Sequence, residues 1–268
     1  SHIAHIEDYL AGKIQGVTNL SNEVIDQTLR GLDHKVVLVI DYSNGADGIA
    51  ASSPIRDFSQ IRGKKVAYEK GTLEEYFLLY ALEQYRLSTR DIVSVNLDPV
   101  ASAQTLEEGK VDVAVTYEPF LSRAVEKIGG NLIYTSADAP GLITDLLTFS
   151  ASFVETWPES VFAVVRAYFK AIDFWKKRPD EVNGILAKQF ETTKEVVARQ
   201  LKGVTVLDLE ANRTALTFSV GTESLYGNLR RVGEFVLRQQ GKERGALDTD
   251  RLIDKSFIKR LAKEREIP

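Results

Sequence analysis

Apolar residues fall at helical spacing at Ile3, Ile6 and Leu10, and the helix they mark ends at Gly12. Ile14–Thr18 reads as a short strand and Val24–Leu29 as a short helix. Val36-Val-Leu-Val-Ile40 is apolar at every position, the pattern of a strand covered on both faces. From residue 64 onward, strands and helices alternate. The strands are the segment ending at Tyr68, Ile92–Asn96, Val111–Thr116 and Leu132–Tyr134. The helices are Leu73–Tyr85, Ser102–Glu108 and Phe120–Ile128. Thr72 and Glu75 have the spacing of a capping box at the first of these helices. Such alternation predicts a mostly parallel sheet flanked by helices.

After the apolar strand Leu146–Phe149 the alternation stops and a helical region begins. Thr156-Trp-Pro-Glu159 has the form of a capping box with an early proline. It opens a long helix with Phe162, Val165, Phe169, Ile172 and Trp175 on one face, a stripe that reads as core. Further helices are predicted at Val182–Gln189, Lys194–Leu201, Ser224–Gln239 and Arg251–Lys263, with the charged tail 255–266 as a solvated face.

Two polar breaks, residues 41–48 and 136–145, interrupt the apolar pattern. They predict two lobes joined by two crossings: residues 1–46 with 146–268 as a discontinuous first lobe, and 47–145 as the second. A short internal echo points the same way. Aligning Gly12 with Gly109 pairs Ile14 with Val111, Asn19 with Thr116 and Ser21 with Glu118, each time a helix, a glycine, a lysine and a strand.

The chain has 268 residues, enough to bury a sizeable core in one large or two medium domains. No apolar run approaches the roughly 20 residues needed to span a bilayer, and no charged and apolar leader is present, so any signal peptide is expected to have been removed. A net charge of −4 with dispersed Lys and Arg leaves no footprint for nucleic acid. Cysteine and methionine are absent, which excludes disulfides, thiolate metal sites and cysteine nucleophiles. The three histidines, His2, His5 and His34, offer little for a metal cluster or a triad, and no phosphate-loop, dinucleotide or nucleophile-elbow motif occurs. No catalytic residue, metal or cofactor is expected.

What remains is a set of polar groups at strand ends, where open α/β sheets bind ligands. Thr18 and Asn19 follow the first strand, Tyr42, Ser43 and Asn44 the second, and Gly71 and Thr72 open a helix. Tyr117, Glu118 and Asp145 complete the candidates. Backbone N–H groups at Gly71 and Thr72 can hold an anionic or carbonyl oxygen, although Glu74 and Glu75 already put negative charge in that turn. Tyr42 and Tyr117 either stack on a flat ligand or pack as core. Glu118 and Asp145 either accept hydrogen bonds from an amine or hydroxyl, or serve as a helix cap and a hinge support.

Several of these stretches carry a family resemblance. Residues 37–47, 63–72 and 109–120, with Asp138-Ala-Pro-Gly-Leu-Ile-Thr-Asp145 and Leu252-Ile-Asp-Lys-Ser-Phe257, resemble ABC-transporter substrate-binding proteins. The group resembled handles nitrate, alkanesulfonates, taurine or pyrimidine thiamin precursors. Members usually begin with a strand–helix–strand opening of roughly 40 residues before the part that matches Ser1–Asn19; the resemblance therefore implies a first lobe without it. It further implies a two-lobed periplasmic-binding-protein type II fold, a small-molecule ligand held in an interlobe cleft, and a monomer. Its partner would be an ABC permease in the membrane, and its location periplasmic or extracellular and membrane-associated. The acidic pair Glu118 and Asp145, with tyrosines in place of a basic cluster, points away from nitrate toward an amine-bearing or heterocyclic ligand. The competing expectations are an extracytoplasmic ligand-sensing domain of a signalling receptor and an enzyme of pyrimidine-precursor synthesis.

Overall fold

The computed structural model describes residues 2–243, 245 and 247–266, with side chains from residue 5 to residue 265. In chain order its elements begin α1 (His2–Leu10), β1 (Gly16–Leu20), α2 (Ser21–Leu29), β2 (His34–Ser43), β3 (Asp47–Ala51) and β4 (Lys65–Tyr68). There follow α3 (Leu73–Gln84), β5 (Val93–Asn96), α4 (Pro99–Glu107), β6 (Val113–Tyr117), α5 (Phe120–Ile128), β7 (Asn131–Thr135) and β8 (Thr144–Ser150). The chain continues with α6 (Ala151–Thr156), α7 (Pro158–Lys177), α8 (Pro179–Gln189), α9 (Lys194–Gln200) and β9 (Val204–Val206). It closes with α10 (Leu209–Ala215), α11 (Leu225–Gln239) and α12 (Ser256–Glu266). The chain separates into two compact units, one of residues 1–42, 144–198 and 206–268, the other of residues 43–143 and 199–205. The excursion 199–205 has no counterpart among the crossings read from the sequence.

The second unit holds a five-stranded sheet in the order β5-β4-β6-β3-β7. β4 pairs parallel with β5 and β6, while β3 pairs antiparallel with both β6 and β7. The helix-linked strands β4 to β7 therefore share one direction, as crossover connections require. β3 runs against them because no helix joins it to β4. The first unit holds β1, β8 and β2 side by side in that order, with β8 antiparallel to β1 and β2. Four of the five strands of the second unit's sheet run in one direction, as the alternation after residue 64 predicts, and the antiparallel pairings of β8 make the first unit's sheet the departure from it. β3 hides in the sequence because it starts inside a polar break and its residues Gly48, Ala50 and Ala51 are small. Close packing selects them: a Cβ on Gly48 would stand 2.7 Å from Leu121.

β2 carries the apolar run that marks it in the sequence, and Val36, Val37, Leu38 and Val39 are all fully buried. Burying consecutive residues on both faces breaks simple alternation, and the ladder to β8 slips twice, between Val36 and Leu38 and between Val39 and Asp41. Buried backbone groups along such a strand must all be paired. Asn212 on α10 meets Val39 from both sides: its Oδ1 accepts from Val39 N at 2.8 Å and its Nδ2 donates to Val39 O at 2.9 Å. The Ile40 carbonyl accepts from Leu207 N and from the Tyr168 hydroxyl, both at 2.9 Å.

Helix ends explain the internal echo. Gly12 and Gly109 both adopt positive φ, and at each the glycine N–H bonds three residues back and the following lysine N–H five back. This is the Schellman arrangement. The same pair of bonds closes α2 at Gly31, α3 at Arg86, α8 at Glu191 and α11 at Gly241. The strands that follow each have an antiparallel neighbour, β8 for β1 and β3 for β6, and β6 pairs in addition with β4 in parallel. A shared cap thus accounts for the glycine and lysine of the echo.

Three local expectations change. The buried anchor of α1 is Tyr9, while Leu10 is exposed and Ile3 lies outside the described side chains. Thr156 ends α6 instead of capping α7, whose first residue is Pro158. The tail is amphipathic: Phe257, Ile258, Leu261 and Ala262 are buried.

Beneath α1 lies a buried polar group set. The Thr28 hydroxyl donates to Val24 O at 2.7 Å and accepts from His34 Nε2 at 2.8 Å, while Tyr9 stacks on the imidazole at 6.3 Å. Burial pushes His34 from 6.5 down to about 4, outweighing the Val24 carbonyl and Asp33, which favour the cation, while Lys35 acts with burial. Between those two pH values the unfolded chain binds a proton that the folded ring refuses. Stability is therefore complete above the unfolded value and is lost as pH falls toward the folded one.

Two outcomes follow. Asn212→Leu removes both partners of Val39 in a buried strand and is expected to cost about 3 kcal/mol in urea denaturation; a loss below about 1 kcal/mol contradicts this role. Between pH 7 and pH 5 the native protein should lose about 2 kcal/mol more stability than His34→Gln; identical pH dependence of the two rules out His34 as the source.

Candidate functional site

In the second unit the parallel strands β4, β5 and β6 end side by side, and polar residues follow each. Tyr117 is the last residue of β6, 37% exposed, with its ring edge-on to Phe120 at 5.7 Å. Asp47 pairs with it in register across the ladder from β3. Glu69 follows β4, Glu74 lies in the first turn of α3, and Asp98 caps α4 by accepting from Ala101 N at 2.9 Å. Burial raises the Tyr117 phenol above its usual value, and Glu74, Asp47, Asp98 and Glu69 raise it further. Glu69 is itself raised, first by burial and then by Glu74 and Asp98. Every charge acting on these two groups is thus negative. No basic side chain forms an ion pair with Glu69, Glu74 or Asp98 among the described residues.

The helix start beside this rim is organised by its own carboxylates. The Glu75 carboxylate accepts from Gly71 N at 2.8 Å, with Gly71 at φ 81. The Thr72 hydroxyl is within reach of Glu69 O at 2.8 Å and Glu74 Oε2 at 2.6 Å. No hydrogen bond from the Thr72 side chain caps the helix, so the capping box read from Thr72 and Glu75 is replaced by a Glu75–Gly71 clasp. With the Gly71 amide occupied and acids around it, this turn does not offer the anion cradle its sequence suggests.

The other predicted residues of this unit do different work. Ser43 is buried; its hydroxyl donates to Asp47 Oδ2 at 2.6 Å and lies 2.7 Å from Ser136 Oγ, which accepts from Gly45 N at 2.7 Å. Asn44 is exposed, with its amide bound to Gly203 O and its side chain to Thr205. Glu118 caps α5, accepting from the Ser122 hydroxyl and from Ser122 N. Gly71, Thr72 and Tyr117 therefore gather at the acidic rim, whereas Ser43, Asn44 and Glu118 hold turns.

In the first unit, Thr18 is exposed on β1, and Asn19 is fully buried. Asn19 donates to Thr148 Oγ1 at 2.7 Å and accepts from Gln27 Nε2 at 3.0 Å, which makes it a core residue. The Tyr42 hydroxyl donates to Glu223 O at 2.7 Å, and burial raises its phenol well above the usual range. Asp145 is half-buried on β8, in register with Leu20 and Asp41. Sequence reading missed Asp47, Glu69, Asp98 and Ser136. The available signal was that each follows or adjoins a strand end, the criterion applied to their neighbours.

Among the described residues, no group of three or more His, Cys, Asp or Glu side chains is placed to hold a metal, and no helix is long and apolar enough to cross a membrane.

A protein-family model matches residues 19–189, well over half the chain. The chain belongs to the NMT1-like family. Among relatives of this NMT1-like chain, a Bacillus subtilis (strain 168) protein named for aliphatic sulfonate binding is 25% identical over 246 residues, 91% of this chain and 71% of that protein. The taurine-binding periplasmic protein of Escherichia coli (strain K12) is 25% identical over 194 residues, 68% of this chain and 59% of that one. The solved periplasmic aliphatic sulphonate binding protein SsuA from Escherichia coli superposes with a TM-score of 0.76 at 18% identity, covering 95% of this chain and 80% of its own. SsuA from Xanthomonas axonopodis pv. citri, bound to MOPS, gives 0.69 at 18% identity and covers 93% and 83%. The desulfurization enzyme DSZB also shares the fold, at 0.64 and 16% identity, covering 94% and 86%. The α/β architecture is thus that of periplasmic binding proteins.

Removing one member of the rim should relax its neighbour. In Glu74→Gln the Tyr117 phenol is expected to ionise at lower pH than in the parent, yet still above free tyrosine because burial remains. Tyrosine ring NMR titration checks this, and an unchanged Tyr117 pKa disproves the coupling.

Proposed function

We propose that this NMT1-like protein is the extracytoplasmic solute-binding component of an ABC importer. It acts as a monomer that captures a small organic molecule and delivers it to a membrane permease, with the two units as its lobes. The family assignment and the names of the relatives support this reading. Fold alone does not choose between binding and catalysis, because the desulfurization enzyme shares it. The chain itself argues for binding: it lacks cysteine, and its one described histidine outside the N-terminal helix, His34, is locked in a buried hydrogen bond.

The acidic rim at Tyr117 carries the ligand reading. Glu69, Glu74, Asp98 and Asp47 present carboxylates without basic partners on Glu69, Glu74 and Asp98, beside a half-exposed phenol. A cationic nitrogen placed there replaces repulsion among carboxylates by attraction, and the tyrosine ring offers it a π face. The ligand class is therefore amine-bearing: an aminosulfonate such as taurine, which joins an ammonium to a sulfonate, or an aminopyrimidine. Calorimetry against taurine, ethanesulfonate, an aminopyrimidine and nitrate tests it. The amine-bearing compounds should bind most tightly, and Glu69→Gln with Glu74→Gln should weaken them at least tenfold, about 1.4 kcal/mol. Tight binding of nitrate alone would sink the proposal.

A further inference from the structure

On the first unit, α10 and α12 enclose a groove of about 530 Å³, within the size range of recognition pockets. Leu216, Ile258 and Ala262 give it an apolar floor, and Phe218, 54% exposed, stands at its edge. Its charged lining is almost entirely basic: Lys255, Lys259 and Lys263 on one side and Arg213 on the other. The only acid lining it, Glu210, is already paired with Arg213 at 3.0 Å.

The pairing of charges on α12 is uneven. Arg260 binds Glu159 and Glu264, and Arg265 binds Asp173 at 2.9 Å, so the cations away from the groove have acidic partners. Lys255, Lys259 and Lys263 have none among the described residues, and Lys255 instead lies over the Tyr226 ring at 5.3 Å. Lys255 stands just before α12, its carbonyl accepting from Lys259 N, and the spacing i, i+4 and i+8 sets the three cations along the helix over about 12 Å. A small anion spans at most one or two of them, and a flat membrane surface would not reach the floor of a groove. An amphipathic segment carrying carboxylates in sequence, with an apolar side chain between them, matches row, floor and Phe218 together.

We infer that this groove docks an acidic amphipathic segment of a partner protein, recognised by Lys255, Lys259 and Lys263 around an apolar anchor. The surface is separate from the acidic rim, and the inference stands whether or not the rim binds an amine.

Fluorescence anisotropy with a labelled helical peptide bearing Glu at positions 1, 5 and 9 and Leu between them tests it on the whole chain. The protein should bind the peptide saturably at low salt and more weakly as salt is added. Lys259→Glu with Lys263→Glu, both exposed positions, should weaken binding at least tenfold, and Phe218→Ala should weaken it as well. Lys170→Glu with Lys188→Glu makes the same change in net charge at exposed sites elsewhere and should leave affinity within twofold. Thermal melting checks that each variant is folded, and taurine calorimetry checks that the rim is untouched. Absence of saturable binding, or equal weakening by both double variants, overturns the inference. So does stoichiometric displacement of the peptide by decanesulfonate, which would make the groove a small-molecule site, or tighter binding to phosphatidylglycerol vesicles than to the peptide that depends on the same two lysines.

Discussion

One side-chain amide holds the strand on which the first unit is built. β2 has four consecutive fully buried apolar residues, and its ladder with β8 slips twice, past Val37 and past Ile40. A residue buried in such a strand brings a backbone donor and an acceptor that water cannot reach, and each costs on the order of 1–3 kcal/mol if unmet. Asn212 meets both at Val39, so a residue 173 positions away completes the strand. The Ile40 carbonyl is met by Leu207 and Tyr168, and the strand runs on to Tyr42, whose hydroxyl is held by Glu223, and Ser43, where the second unit begins. The helical C-terminal region thus finishes the hydrogen bonding of the sheet it covers.

Charge is sorted more sharply than a net value of −4 suggests. In the second unit, four acids converge on Tyr117, and two of them occupy helix starts, Glu74 in the first turn of α3 and Asp98 at the cap of α4. The positive ends of those helices offset part of the repulsion, each by roughly 0.3–1 kcal/mol. Glu69 has no such support, and its pKa is raised, first by burial and then by Glu74 and Asp98. In the first unit, three lysines line a groove without acidic partners among the described residues. The proposed ligand of the rim and the proposed partner of the groove each carry the opposite sign.

Much of the fold was legible because periodicity and caps report directly on burial. The strand–helix series from β4 to β7, the core face of α7 and most helix positions were readable this way. β3 was not, since Gly48, Ala50 and Ala51 carry little hydrophobic signal and owe their place to tight packing against α5. The direction of β8 was not either, because strand orientation depends on long-range pairing. At the candidate site, residue type was visible but its use was not. Glu118 read as either a ligand group or a helix cap and holds the start of a helix, Asn19 read as a ligand candidate and is core, and Gly71 read as an anion cradle whose amide Glu75 already holds. Local sequence names a polar group at a strand end; only the three-dimensional neighbours decide whether that group is already engaged. The acidic character of the rim emerged from Glu69, Asp98 and Asp47, which lie far apart in the chain: the parallel order of β4, β5 and β6 places the first two, and the antiparallel ladder from β3 sets Asp47 opposite Tyr117.

Native mass spectrometry of freshly purified protein, followed by denaturation and identification of the released small molecule, addresses the central claim most directly. The account predicts one retained molecule per chain, bearing a basic nitrogen and lost from the Glu69→Gln, Glu74→Gln double variant. A retained ligand with no basic nitrogen, bound equally well by that variant, contradicts it.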